Sequence, residues 1–221
     1  MITLGLETAT SACAVGLSGP FGVEVRVVNT ERRHGEFLMP SVAALLARHH
    51  VGARDVERVV VDRGPGLFTG LRVGVASALA YAQAAGASLV SVTSLEMLAH
   101  GAHARGVRGD LVAVVDARRH EVFAQTFSLG DDVAALDEAE VLVPGELVER
   151  WRGCRVRFSG DGAHRYAALL APVGEIDEET VPPLEAALAL APSREVLESL
   201  APLYLRDADA VANFTTRGSS R

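Results

Sequence analysis

The chain opens in alternation: Met1 to Glu7 and Ala12 to Leu17 interleave apolar with small or polar residues around the polar turn "TATS", and Gly22 to Val28 continues the pattern. This predicts a three-stranded antiparallel meander. The period then lengthens. Over Glu36 to His50, Phe37, Val42, Leu45 and Leu46 fall at mixed spacings of three and four, which suits a helix that carries Pro40 in its first turns with a local kink. A buried strand at Arg58 to Val61, a helix at Phe68 to Ala85, a strand at Ser88 to Val92 and a helix at Ser94 to Ala104 follow.

The run "RGVRGD" at Arg105 to Asp110 breaks the pattern before a new strand, Leu111 to Val115, and marks a boundary. Beyond it the opening grammar returns. "LGLETATSACAVGL" and "VAVVDARRHEVFAQTF" align with Glu7 opposite Asp116, a short echo that points to two related lobes. Further elements are a helix at Gly145 to Arg152, a strand at Val156 to Ser159, a turn "GDGA", and helices at His164 to Leu170 and Leu184 to Ala191. The expected organisation is an N-terminal lobe over residues 1–106, a C-terminal lobe over 107–206 and a polar, fraying tail over 207–221. Strands alternating with helices after a meander place the fold in the α/β class with mixed sheets.

Composition narrows the function classes. The hydrophobic fraction is 49%, but charges interrupt every apolar run before the ~18 residues that a bilayer span requires. With no signal-peptide pattern after Met1, a soluble, cytoplasmic protein is expected. Cys13 and Cys154 lack ligand spacing and are expected to be reduced structural thiols. The formal net charge is -7 and every basic side chain is arginine. An acidic chain without a basic, aromatic-interleaved stripe holds a nucleic-acid backbone poorly, so any such contact is expected to run mainly through a partner.

The stretch "DRGPGLFTGLRVGVASALAYAQAAG" imitates a phosphate loop. A Walker loop needs GxxxxGK[ST], and here Gly70 comes one residue early with Leu71 and Arg72 in place of lysine and serine. A dinucleotide fingerprint fails at Thr69. What remains is a strand, a turn and a helix start, in which Gly64, Gly66 and an N-capping Thr69 either expose amides to an anion or make a plain turn. Gly66, Gly70, Gly74, Ala78, Ala82 and Gly86 recur every four residues, leaving one helix face nearly bare. Because glycine inside a helix costs about 0.5 to 1 kcal/mol relative to alanine, that face packs either on the protein's own sheet or on another subunit.

Taken in order, "LGLETATSACAVGL", "ERRHGEFLMPSV", "DRGPGLFTGLRVGVASALAYA", "SVTSLEML", "VVDARRHEVFA", "SGDGA" and "PLYLR" resemble the bacterial TsaB (YeaZ) family, once labelled glycoprotease-like. The resemblance implies the two-lobed, ribonuclease H-like fold of the actin, sugar kinase and heat-shock ATPase clan. It implies a non-catalytic partner of the paralogue TsaD, which transfers a threonylcarbamoyl group to the tRNA adenosine beside the anticodon, with the ATPase TsaE joining them. Homodimers through the same surface are expected when TsaD is absent. The alternative is a self-sufficient metal-dependent glycopeptidase or a small-molecule kinase of the clan.

TsaD carries an HxEGH-like metal motif, and the matching positions here are Ser94 and Leu98, with Glu96 between them. No metal site and no catalytic residue is therefore expected. His100 and His103 are read as exposed helix-end residues, and His34, His49, His50 and His120 form no recognisable triad. Asp62 and Asp116 are read as strand-end residues that cap turns. In clan ATPases a second, glycine-rich hairpin wraps the phosphates, whereas "DARRHE" puts Arg118 and Arg119 there. An intrinsic nucleotide site is not expected; ATP or ADP is expected only at the complex junction, where Arg118 reaches an anion or stays a solvated turn residue.

The resemblance assigns docking on TsaD to two helices, matched by Glu36 to His50 and Phe68 to Ala85. The expected interface comprises Leu38, Met39, Val42, Leu45, Leu46, Phe68, Gly70, Leu71, Gly74, Val75, Ala78 and Leu79. On that reading Gly74→Arg abolishes docking and leaves the monomer folded.

Overall fold

The computed structural model describes residues 1–29 and 33–206; the expected tail over 207–221 lies outside them. In the first half, β1 (Thr3–Glu7), β2 (Ala12–Gly19) and β3 (Gly22–Asn29) form the meander. They are followed by α1 (His34–Arg48), β4 (Arg58–Asp62), α2 (Phe68–Ala85), β5 (Ser88–Val92) and α3 (Ser94–Ala104). The sheet order is β3-β2-β1-β4-β5. β1 runs antiparallel to β2 and parallel to β4, and β5 extends the parallel side. α1 continues through Pro40 without interruption.

The second half begins with β6 (Gly109–Arg118), β7 (Glu121–Leu129), β8 (Val133–Ala135) and β9 (Glu140–Leu142). After α4 (Pro144–Trp151) and β10 (Arg157–Ser159) come α5 (Asp161–Arg165), α6 (Ala167–Leu170), β11 (Glu175–Ile176) and α7 (Leu184–Leu190). The order β11-β10-β6-β7-β8, with β9 also on β7, repeats the first sheet's plan: an antiparallel hairpin whose first strand pairs in parallel with a later one. Glu7 and Asp116 occupy matching places near the ends of β1 and β6. The fold is thus an α/β fold with two duplicated mixed-sheet lobes. The helix expected over His164 to Leu170 is two short helices meeting at Tyr166, and β8, β9 and β11 are too short for periodicity to reveal.

The strands of the two sheets divide on either side of residue 106, and α3 packs between them. α3 buries Leu95, Leu98, Ala99 and Ala102 in one cluster with Leu111, Ala113 and Val115 of β6 and Phe123 and Phe127 of β7, while its Met97 joins a cluster with Val90 and Val92 of β5. A helix apolar nearly all round belongs between two layers, not at the edge of one. Thr93 fixes its start through a capping box, receiving the Glu96 N–H at 3.1 Å while the Glu96 carboxylate receives the Thr93 N–H at 2.9 Å. The far end of the chain also returns to the first sheet. Leu184 and Leu188 of α7 lie on Gly5 and Gly16, a cross-strand glycine pair whose missing side chains admit the helix. Leu197 then donates its N–H to Leu89 O and Leu203 to Arg63 O. The expected 107–206 lobe is corrected accordingly: α7 and the segment through Leu203 pack on the N-terminal sheet, while Leu205 and Arg206 return to the second.

Candidate functional site

Acids close strand ends between the two sheets by one device. Glu7 Oε1 accepts the N–H of Ala9 at 2.6 Å, Asp62 Oδ1 that of Gly64 at 2.7 Å, and Asp116 Oδ1 that of Arg118 at 3.0 Å. Each carboxylate thus caps the turn two residues on, as the sequence suggests for Asp62 and Asp116. Asp161, at the start of α5, receives the Asp116 N–H at 2.9 Å.

Burial, and after it the charge of Asp62, hold Glu7 well above the carboxylate range; the Ala9 and Thr10 amides offset this only in part. Glu7 Oε2 is sealed from solvent and has no hydrogen-bond partner, the condition of a neutral carboxyl. Burial also pushes Asp62 up to about 7, opposed by the bonds from Gly64 and Ser94. No group of three or more metal-binding side chains forms among the described residues.

Ser94 and Leu98 are fully buried. The Ser94 hydroxyl donates to Asp62 Oδ2 at 2.7 Å and lies 2.9 Å from Pro65 O. Leu98 packs toward Gly160, where a Cβ would fall 2.8 Å from its Cδ1. His34 is a satisfied core residue: its Nε2 bridges Thr10 O at 2.9 Å and Ala12 O at 3.0 Å, tying α1 to the β1–β2 turn. His103 meets Gly130 O at 3.1 Å. His100 corrects the expectation of exposure, because it is half-buried in a cleft. Both cysteines are free thiols, and burial pushes Cys13 up to about 12.

The glycine stripe of α2 faces inward. A Cβ on Gly66 would sit 2.3 Å from Ala9 O, on Gly70 2.0 Å from Thr8 O and on Gly74 2.2 Å from Thr8 Oγ1. The Thr8 hydroxyl donates to Gly70 O at 2.8 Å, and the Leu67 N–H bonds Ala9 O at 2.6 Å. The bare face is therefore the bed of the β1–β2 turn. Gly64 is buried with φ 103°, its N–H already taken by Asp62. Thr69 is not the N-cap: Leu67 occupies that place, and Thr69 is exposed inside the helix. Of the expected anion nest of Gly64, Gly66 and Thr69, the Gly64 amide is thus spent on Asp62 and Thr69 does not cap the helix.

Arg118 and Gly66 do meet, in a cleft of about 460 Å³ between the lobes that Phe68, Arg72, Tyr204 and Arg206 also line. The Arg72 guanidinium stacks 3.9 Å from the Phe68 ring centroid and its Nε donates to Tyr204 Oη at 3.2 Å. Arg118 pairs with Asp116 at 3.0 Å while 41% of its side chain stays exposed. Arg118, Arg119 and His120 have φ of 63°, 52° and 65°, left-handed geometry that two-residue hairpins impose on residues other than glycine only at a cost.

The expected interface is corrected as well. Leu38, Val42, Leu45 and Leu46 of α1 and Ala78 of α2 are buried in one core with strands β1, β2 and β4; Gly70, Leu71, Gly74 and Val75 are buried too. Two helices share one face of the sheet and each spends its large side chains on it. Leu79 packs against the same core, and Phe68, at 37% exposure, turns to Tyr204. Met39, at 43%, faces out. The helices present small residues outward, Pro40, Ala43, Ala44 and Ala47 on α1 and Thr69, Ala76 and Ala80 on α2, among the larger Glu36, Met39, Arg48, Arg72 and Gln83. The sequence signal for this face is alanine at spacing four, which is easily passed over beside larger apolar residues.

A family model described as TsaD, tRNA N6-adenosine threonylcarbamoyltransferase, matches residues 27–149. An uncharacterized Mycobacterium tuberculosis protein is 35% identical over 213 residues, 94% of this chain and 92% of that protein. Escherichia coli tRNA threonylcarbamoyladenosine biosynthesis protein TsaB is 29% identical over 67% of this chain and 64% of its own length. The solved YeaZ from Pseudomonas aeruginosa superposes with a TM-score of 0.81 at 27% identity, covering 92% of this chain and 99% of that one. The chain belongs to the TsaB/YeaZ family. An uncharacterized Mycobacterium leprae protein is 39% identical over 60% of this chain, which spans 37% of that protein's length. For the fold alone, a Bacteroides thetaiotaomicron protein with an actin-like ATPase fold matches at a TM-score of 0.50 and 10% identity, covering 85% of this chain and 95% of that one. The family's two-lobed plan thus accounts for the repeated hairpins, and no helix among the described residues is long and apolar enough to cross a membrane.

Proposed function

We propose that this chain is a non-catalytic subunit that docks on a TsaD-type transferase and supports threonylcarbamoylation of the tRNA adenosine beside the anticodon. Membership of a family whose Escherichia coli protein is named for that biosynthesis supports the pathway. The observation that carries the non-catalytic reading is the use made of positions 94 and 98, where a metal-binding transferase of this fold needs ligands. Here a buried hydroxyl is spent on Asp62 and a buried leucine on packing. A self-sufficient peptidase or kinase would also need reachable, ionised acids, whereas Glu7 and Asp62 are fully buried with raised pKa values.

Docking uses the small outward face of α1 and α2. Alanine and Pro40 let a partner helix approach closely, while the large residues beneath keep both helices rigid. Homodimers form through this face without the partner, TsaE joins the pair, and tRNA is held mainly by the partner. A nucleotide bound at the junction enters beside Gly66 and Arg118 and competes with Asp116 for the guanidinium. Titrating the purified chain with TsaD by calorimetry tests the docking: saturable one-to-one association supports it, and no association overturns it.

A further inference from the structure

A second cleft, about 510 Å³, lies between α3, β7 and the segment around Leu203 and Leu205, which it shares with the first. Its polar groups do not balance. Both Glu96 oxygens are occupied, one by the Thr93 N–H at 2.9 Å and the other by Arg194 Nη2 at 3.1 Å. The Gln125 amide nitrogen is spent on Asp137 O at 2.9 Å. Donors remain. Arg194 Nε is buried with no acceptor. Arg63 lines the cleft with its guanidinium unmet by any acceptor among the described residues. The His100 ring lines it too, its pKa lowered chiefly by burial.

A single water would satisfy Arg194 Nε, but it would not answer Arg63 and His100 as well. The charged groups facing His100 are Glu96, Arg194 and His103 on its own side and Glu138 and Arg63 across the cleft. Of the two carboxylates, Glu96 is already shared and Glu138 is exposed at the rim. Val92, Phe127 and Val133 supply an apolar wall, and the volume suits a metabolite-sized molecule.

We infer that this cleft binds a small organic oxyanion, a phosphate monoester or a carboxylate, held by Arg63, Arg194 and His100. The site is independent of the docking proposed above: it lies away from the outward face of α1 and α2. Guanidinium groups suit either oxyanion because their forked donors match its paired oxygens.

The test follows the ring signals of His100 by NMR in the full chain, titrated separately with inorganic phosphate and with acetate. The inference expects a saturable shift with at least one of them, accompanied by a rise in the His100 titration midpoint. Saturation by phosphate alone assigns a phosphate monoester, and saturation by acetate a carboxylate. Arg63→Gln, which breaks no side-chain hydrogen bond or ion pair among the described residues, should weaken binding about tenfold, and Arg63→Gln with Arg194→Gln should abolish it. No saturation with either probe up to about 10 mM overturns the inference. So does undiminished binding by Arg63→Gln in a chain with unchanged thermal melting.

Discussion

A Cβ on Gly70 would fall 2.0 Å from the carbonyl oxygen of Thr8. The contact joins α2 to the turn after β1 and shows why the helix accepts glycine in its interior: nothing larger fits beneath that turn. Gly70→Ala should destabilise the chain by about 3 kcal/mol through overpacking against backbone that cannot move aside. Gly74→Arg, 2.2 Å from Thr8 Oγ1 by the same construction, should prevent folding, and does not selectively break docking as the sequence suggests. Urea unfolding and circular dichroism decide this; a fully stable, folded Gly74→Arg chain would restore the glycine stripe as an outer surface.

The outward alanines should behave in the opposite way. Ala43 and Ala76 are exposed, so Ala43→Arg and Ala76→Arg should each leave the unfolding free energy within about 0.5 kcal/mol of the parent. Affinity for TsaD should fall at least about tenfold, since a charge in the middle of a helix interface must be desolvated. Parent-like affinity in both variants would remove this face from the interface.

The buried acids give stability a definite pH slope. Asp62 titrates from 3.8 in its ordinary state to about 7 in the fold, and Glu7 is also raised. Across that window the folded chain holds protons that the unfolded chain has released, so stability falls as pH rises from 3.8 through about 7. Glu7→Gln removes one of these groups and should flatten the slope measured by urea unfolding between acid and neutral pH. An unchanged slope would show that Glu7 is ionised in the fold.

Strain in the second hairpin is removable. His120 sits at φ 65° beside Arg119 at 52°, and His120→Gly should raise stability by roughly 1 kcal/mol, because glycine adopts this region without steric cost. A lower melting temperature in the variant would mean that the His120 side chain contributes more than its backbone conformation costs.

Much of the architecture was legible because its signals are local. The period change from two to three-and-a-half locates α2, β5 and α3 to the residue, and the repeated acid at Glu7 and Asp116 announces the duplicated lobes. The TSLE run at Thr93 to Glu96 also carries a readable capping box. The interface residues were harder, for a physical reason. Whether Leu38 or Ala43 faces a partner depends on which side of the helix the sheet takes, and periodicity gives the stripe but not its occupant. The sheet claims the leucines and leaves the alanines outside. Likewise, the meeting of Arg63 and Arg194 in one cleft arises from contacts between distant segments, which spacing cannot show.

The most direct test of the proposed role is a threonylcarbamoylation assay with purified TsaD, TsaE, threonylcarbamoyl-adenylate and tRNA, run with the parent chain, with Ala43→Arg/Ala76→Arg, and without either. The account predicts modified tRNA only with the parent chain, and none from the chain without TsaD. Full activity without the chain, or product formed by the chain alone, would contradict it.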